Sequence, residues 1–392
     1  MATQEINLRE LKLKIVLAGG GTGGHIYPLI AVYRHLKRIT DQKLVTLDAT
    51  YLGPKIFDES VFTNEGIKTI YITSGKWRNY FSLMNFVDIF KIIFGFFQSL
   101  WQLWKVMPDI IFSKGGYGAL PVVLAGFLLG IPIVIHESDA VPGKSNKLAA
   151  PFAKKILLAF ESAKNYFLPE KVVVVGNPIR ETILHNNIPQ ENAKRYFKFL
   201  PEKSVVLFLG GSQGSQRIND LVLDCLEELI KNEVQVLHQT GPNNFKEVFL
   251  EAKVILDFLP EPYKNFYQAK DFFYEKDYLN ALAAADLIVA RAGSGVIFEI
   301  AASKKPAILI PLPEAARDHQ RLNAIEYARF GGALVIEEKN ATANLLAKNI
   351  LDILNNPTKR NNMINGAKLF IKKDAAEEIA KELLNVLNLN FE

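Results

Sequence analysis

Residues 18–28 read A-G-G-G-T-G-G-H-I-Y-P and follow the apolar run Leu13-Lys14-Ile15-Val16-Leu17. A short apolar run that ends in glycines and continues into a helical pattern is the opening of a parallel α/β unit. Gly19, Gly21 and Gly24 have the spacing G-x-G-x-x-G, which lets a backbone turn approach a phosphate closely. A dinucleotide site also needs an acidic residue closing the second strand about twenty residues on, and Asp48 in L-V-T-L-D-A-T is available for that. A nicotinamide-dependent oxidoreductase is therefore one reading. His25 opens another. At a helix N-terminus the dipole disfavours the imidazolium, so a histidine there can serve as general base near neutral pH; it can equally just cap or pack the loop.

Outward from this turn, further apolar runs end in small residues and lead into helical patterns: Ile110–Ser113, Ile133–His136, Val172–Val175, Val205–Leu209, Val234–His238, Leu287–Ala290 and Ala307–Pro311. Such alternation predicts doubly wound parallel sheets. The first turn has an echo, because Gly210-Gly211-Ser212-Gln213-Gly214 follows Val205–Leu209 as Gly20–Gly24 follows Lys14–Ala18. Each half of the chain thus opens its own sheet. The turn cluster Gly176-Asn177-Pro178 marks the boundary, giving domains at 1–177 and 178–365, with the last helical segment, 366–392, expected to cross back to the first. Two Rossmann-like domains facing each other would bring both glycine turns to an interdomain cleft, since ligands of these sheets bind beyond the carboxyl ends of the strands.

The 392 residues are 49% hydrophobic and 22% charged, with a net charge of +5. This globular, mildly basic balance suits an anionic substrate or membrane surface and gives no sign of a nucleic-acid partner. One cysteine, Cys225, within an apolar helical pattern, supports neither a disulfide framework nor a zinc site. The N-terminus lacks the basic-then-apolar pattern of a signal peptide, so cytoplasmic residence is expected. Phe81 to Met107 is apolar, but its longest uncharged stretch, between Lys91 and Lys105, is too short to span a bilayer. Asn85, Asp88, Lys91, Gln98, Gln102 and Lys105, with Gly95, form one narrow stripe of a helix. The remainder carries Phe86, Phe90, Phe94, Phe97, Trp101 and Trp104, which either pack under neighbouring elements or lie in a membrane interface flanked by Lys76, Arg78 and Lys105.

Three more strand ends carry chemistry. Ala292-Gly293-Ser294-Gly295 follows Arg291 and opens a helix, with Glu299 one turn in. A carboxylate there can accept hydroxyl hydrogen bonds from a ribose or simply complement the helix dipole. Asp318-His319-Gln320-Arg321-Leu322-Asn323 is polar and follows the turn Pro311–Pro313. His136-Glu137-Ser138-Asp139 has no partner histidine at metal-ligand spacing. No D-x-D pair occurs in the chain; its absence favours a site in which helix dipoles and glycine N–H groups, not a bound metal, neutralise a leaving diphosphate.

In order and at proper spacing, eight segments resemble the MurG family of bacterial N-acetylglucosaminyltransferases. They are G-G-G-T-G-G-H-I-Y-P (19–28), G-G-Y-G-A-L-P (115–121), H-E-S-D-A-V-P-G (136–143), G-N-P-I-R (176–180), G-G-S-Q-G-S (210–215), H-Q-T-G (238–241), R-A-G-S-G-V-I-F-E (291–299) and D-H-Q-R-L-N-A (318–324). The resemblance implies a GT-B fold and an inverting transfer of N-acetylglucosamine from UDP-GlcNAc to the 4-hydroxyl of the muramyl sugar of lipid I, giving lipid II for peptidoglycan. By the same resemblance His25 becomes the base, and Thr22, Gly23, Gly24 and Asp139 lie about the donor or developing charge. Arg180, Ser212, Gln213 and Gly214 contact the nucleotide or diphosphate, and Ser294, Gly295, Val296, Ile297 and Phe298 offer backbone N–H groups to uracil and phosphates. Glu299 holds the ribose and Gln320 the sugar hydroxyls, while Gly115, Gly116 and Tyr117 receive the diphosphate of the undecaprenyl-linked acceptor. The aromatic helix becomes a patch on the inner leaflet of the cytoplasmic membrane, making the protein peripheral. No cofactor is implied, and an effect of Mg²⁺ is not written in the sequence. Two positions depart from the family pattern. H-E-S-D stands where H-E-Q-N is usual, with a carboxylate in place of an amide at 139, and Ala119 stands where serine is typical. Runner-up readings are another GT-B enzyme, such as a diacylglycerol glycosyltransferase or a UDP-GlcNAc 2-epimerase, the NAD(P)-dependent oxidoreductase, and a non-catalytic membrane-associated module.

Overall fold

The computed structural model describes residues 12–20, 23–56, 58–75, 84–371 and 374–389, without the side chains of 84–87. Thr22, Lys76, Arg78 and the Phe86 side chain therefore lie outside the described residues. By internal packing the chain forms two compact units, 1–180 with 373–392, and 181–372.

The first unit is a seven-stranded, wholly parallel sheet of β1 (Lys12–Ala18), β2 (Thr46–Gly53), β3 (Lys68–Tyr71), β4 (Ile110–Ser113), β5 (Ile133–Glu137), β6 (Lys155–Leu158) and β7 (Val172–Val174), in the order β3-β2-β1-β4-β5-β6-β7. The central strand shows why both faces must be covered. Leu13, Ile15 and Leu17 of β1 enter one core, and Val16 and Ala18 enter the core on the opposite face. The first core is closed by the helix Gly23–Gln42 and by the helix Ala375–Val386, which contributes Ala376, Ile379, Ala380, Leu383 and Leu384. Asp374 caps that last helix, its Oδ1 accepting from the Ala376 N–H at 2.9 Å, and its Oδ2 lies 3.2 Å from His35 Nε2 on the first helix.

The second unit repeats the pattern in six parallel strands, β8 (Val205–Leu209), β9 (Gln235–Gln239), β10 (Tyr267–Lys270), β11 (Leu287–Ala290), β12 (Ala307–Leu309) and β13 (Ala333–Val335), ordered β10-β9-β8-β11-β12-β13. In each sheet the order reverses beside the first strand, so β1 and β4, and likewise β8 and β11, end side by side. That is the switch point where doubly wound sheets bind ligands. The eight runs expected to be strands are strands, differing by a residue or two at their ends.

The helix Met84–Val106 is inside out. A Cβ on Gly95 would stand 2.0 Å from the Thr73 carbonyl oxygen, and one on Gly75 2.2 Å from that of Asp88, so backbones meet there directly. Asp88 and Ser99 are buried, and Gln98 Oε1 accepts from the Thr73 N–H at 2.7 Å. The small and polar stripe thus faces the protein. The aromatic face stays uncovered: Phe90 is 71% exposed, Phe94 59%, Phe97 60%, Trp101 54% and Trp104 57%. Contiguous exposed apolar side chains of this size mark an interaction surface.

Candidate active site

In the first unit the turns after β1, β4 and β5 are adjacent because their strands are. Ala18 pairs with Ser113, Ser113 with Ile135, and the Lys114 N–H donates to the Ala18 carbonyl at 2.8 Å. Gly115 and Gly116 take φ of +77° and +84°, backbone that favours glycine. His25, in the first turn of Gly23–Gln42, sits in the space this leaves. A Cβ on Gly20 would come within 3.2 Å of His25 Nδ1, and one on Gly116 within 3.1 Å of Nε2. Burial, followed by the positive charge of Lys114, pushes the His25 pKa down to about 4 against an opposing pull from Asp139. The imidazole is therefore neutral at pH 7 and able to take a proton.

Sequence reasoning passed over Lys114, which is buried at the centre of this site. Its Nζ lies 2.9 Å from His136 Nδ1, donates to Asn177 Oδ1 at 3.3 Å, and donates to Ser138 Oγ. His136 Nε2 lies 2.9 Å from the Gly176 carbonyl oxygen. One proton arrangement satisfies all of these contacts: an Nε2–H imidazole that donates to Gly176 and accepts from the ammonium at Nδ1. Glu137 is held in a turn of donors, accepting from the Asp139 N–H at 3.0 Å, the Gly143 N–H at 3.0 Å and Asn146 Nδ2 at 2.8 Å. Burial pushes its pKa up, as does the neighbouring Asp139. Tyr117 is partly exposed on the β4 turn. Ala119 is the N-cap of the helix Leu120–Leu128, which begins with no side-chain cap. Arg180 lies over the Tyr27 ring, 6.0 Å from its centroid.

Asp48 is corrected by its position. It lies near the amino end of β2, level with Lys14 of β1, and is paired with Lys12 at 2.9 Å and Lys68 at 3.4 Å. A ribose-binding acid must stand at the carboxyl end, beside the glycine turn, so this residue serves no dinucleotide there.

In the second unit the turn 210–214 is shaped by backbone contact with the turn after β9. A Cβ on Gly214, at φ +80°, would stand 2.1 Å from the Thr240 carbonyl oxygen, and one on Gly241 2.4 Å from that of Gln213. That contact explains the glycine ending H-Q-T-G. Ser212 and Gln213 are exposed, and Ser215 caps the helix Gln216–Lys231. Arg291, left out of the expected site, fastens this turn to the sheet. Its Nη2 donates to Ser215 Oγ at 2.6 Å, its Nη1 to the carbonyls of Ile310 and Pro311 at 3.2 and 3.3 Å, and it is ion-paired with Glu338.

The helix Ser294–Ala302 starts beside it. Gly293 and Gly295 face open space, so a ligand can come close to this end. The Ile297 N–H already bonds the Gly293 carbonyl at 3.1 Å, and the Ile297 and Phe298 side chains are buried, Phe298 against Phe370. The N–H groups available to an anion reduce to those of residues 294–296. Glu299 Oε2 accepts from the Tyr278 hydroxyl at 2.8 Å, and Gln320 Oε1 accepts from the N–H groups of Ala292 (3.3 Å) and Leu312 (3.0 Å), which leaves its Nε2 end for a ligand.

Two doubly wound units, each with a glycine turn at its switch point, are the parts of a GT-B glycosyltransferase. The sequence matches the glycosyltransferase family 28 N-terminal domain over residues 15–158 and the family 28 C-terminal domain over 205–379. It is 36% identical over 345 residues to the UDP-N-acetylglucosamine–N-acetylmuramyl-(pentapeptide) pyrophosphoryl-undecaprenol N-acetylglucosamine transferase 2 of Bacillus cereus, covering 88% of this chain and 92% of that one. It is 37% identical over 347 residues to the transferase of the same activity from Clostridium tetani, covering 88% and 90%. The crystal structure of MurG from Acinetobacter baumannii superposes with a TM-score of 0.72 at 25% identity, covering 95% of this chain and 99% of that one. The chain belongs to the MurG family of glycosyltransferase family 28, with the GT-B fold.

Proposed function

We propose that this chain transfers N-acetylglucosamine from UDP-GlcNAc to the 4-hydroxyl of the muramyl sugar of lipid I, forming lipid II with inversion at the anomeric carbon. The transferases named above support the reaction. The observation that carries the chemistry is His25, a neutral imidazole in a niche that Gly20 and Gly116 keep open. His25 accepts the proton of the acceptor hydroxyl as its oxygen bonds to the anomeric carbon, and the bond from that carbon to the UDP oxygen breaks. The Asp139 carboxylate favours the imidazolium that forms. In the second unit the turn 211–214 and the N–H groups of 294–296 meet the negative charge of the departing diphosphate. Glu299 accepts from the ribose hydroxyls, and Gln320 Nε2 donates to the sugar.

The acceptor is an undecaprenyl-linked lipid, and the uncovered aromatic face of Met84–Val106 suits the membrane that holds it. Trp101 and Trp104 stack with centroids 5.4 Å apart, and Lys105 Nζ lies 4.7 Å from the Trp101 centroid, near enough for headgroups to share it. No described helix is long and apolar enough to cross a membrane. In this reading the aromatic face meets the inner leaflet, in peripheral association.

The test is UDP release from UDP-GlcNAc with and without a lipid I analogue. Release that requires the analogue is expected. Release that ignores it, or none with several analogues, removes the reading.

A further inference from the structure

We propose that Lys114 is a positioning residue for the transfer: it ties the carboxyl ends of β4, β5 and β7 together and so sets where the Asp139 carboxylate stands relative to the His25 imidazole. The inference rests on His25 being the base.

Three observations carry it. Lys114 is buried at the end of β4, where a lysine without a purpose would be costly. Its ammonium has three protons and finds three acceptors from two other strand ends, His136 Nδ1 within the end of β5, Ser138 Oγ just after it and Asn177 Oδ1 after β7. An uncharged amine has one proton too few for all three. Lastly, Ser138 lies between Glu137 and Asp139, so the bond to its hydroxyl anchors the turn from which Asp139 acts on His25.

The charges follow the same geometry. Those acting on His25 are Lys114 from the β4 turn and Asp139 from the β5 turn, with opposite effects. Burial lowers the Lys114 pKa to about 8, while Glu137 and Asp139 pull it up, so the ammonium is the main form at pH 7. It offsets part of the Asp139 field at His25, adding to the burial that is the main reason the imidazole is neutral.

The experiment is NMR of ¹³C- and ¹⁵N-labelled histidine in the full chain, with His25 assigned by its loss in His25→Ala. Lys114→Met removes the charge and all donors; Lys114→Gln removes the charge and keeps an amide that can reach two acceptors. In either variant the loss of the Lys114 charge should raise the His25 titration midpoint, and Asp139→Asn, which should lower that midpoint in the unmodified chain, should move it much less once the turn carrying residue 139 has lost its anchor. The acid limb of kcat/KM should move up with the His25 midpoint, and kcat should fall with little change in KM for UDP-GlcNAc. A midpoint unmoved by the loss of Lys114, or an Asp139→Asn shift as large without Lys114 as with it, overturns the proposal. The unmodified protein supplies a check that needs no folded variant: His136 should be the Nε2–H tautomer, and an Nδ1–H tautomer overturns the proposal. None of the NMR readouts needs turnover. An unmodified chain that fails to release UDP therefore counts against the reaction, whereas an active chain with an unmoved His25 counts against Lys114.

Discussion

Replacing Trp101 tests whether the inverted helix meets a membrane. Trp101 is 54% exposed, stacks on Trp104 and has the Lys105 ammonium over its ring. A tryptophan presents up to ~250 Å², so ~130 Å² of its surface can leave water on docking. At ~25 cal/mol per Å² this is ~3 kcal/mol when fully withdrawn and ~1.5 kcal/mol when half withdrawn at an interface. Trp101→Ser should therefore weaken partitioning roughly 10- to 100-fold. Adding Phe94→Ser, one of the exposed residues on the same face, should multiply the loss. The assay is co-sedimentation with vesicles of phosphatidylethanolamine and phosphatidylglycerol over a range of lipid concentrations. Thermal stability should change little, because the aromatic stack and cation–π contact contribute only about 1 kcal/mol each at an exposed site. A double variant that partitions like the unmodified chain would refute the argument, and so would one that loses its fold, since the face would then be packing rather than docking.

The turn at 214 makes a sharper steric prediction. Gly214→Ala needs roughly 1 Å of backbone movement to clear the Thr240 carbonyl and should lower kcat/KM on the order of 100-fold. Gly211→Ala, at φ +96° in open space, carries only the backbone strain and should lose much less; equal losses would detach the effect from the Gly214–Thr240 contact. Stability should also depend on pH through buried neutral histidines. His238 accepts from the Tyr267 hydroxyl at Nδ1 (3.0 Å), donates to Asn219 Oδ1 at 3.0 Å, and burial lowers its pKa to about 3; burial also holds His136 well below the ordinary histidine range, and His25 falls to about 4. These groups titrate near 6.5 when unfolded, so the unfolded chain binds more protons below that pH. Their stabilisation is complete above pH 6.5 and is lost as pH falls toward the folded values, at up to ~1.4 kcal/mol per pH unit for each. Urea midpoints between pH 7 and 5 should drop, and His238→Gln should flatten the slope by one proton; an unchanged slope would contradict the protonation state assigned to His238.

What could be read without coordinates was what repeats locally. An apolar run, a glycine turn and a helical pattern fix a strand, its end and the helix that follows. That is why β1, β8 and β11 and the turns after them were legible, as was the position of His25. The strands β3, β10 and β13 were not identified, because they are only partly buried sheet edges whose residues, such as K-T-I-Y and Y-Q-A-K, form no continuous apolar run, and β6 adds only Ile156, Leu157 and Leu158 to Lys155. The polar stripe of Met84–Val106 was visible, but which side of it faces the protein depends on the close approaches at Gly75 and Gly95. Asp48 matched on spacing and failed on depth, since counting residues from a glycine turn does not say which end of β2 a residue occupies. Lys114 was invisible for a similar reason. Its partners, His136, Ser138 and Asn177, belong to other strand ends, and only the sheet order brings them to one ammonium.

The most direct measurement is the structure of the product formed from UDP-GlcNAc and a lipid I analogue, determined by mass spectrometry and NMR. One new N-acetylglucosamine joined to the 4-oxygen of the muramyl sugar, with inverted anomeric configuration, is expected. His25→Ala should form it more slowly, on the order of 100-fold or more, while remaining folded. A retained configuration, an altered UDP-sugar made without any acceptor, or full activity in His25→Ala would contradict it.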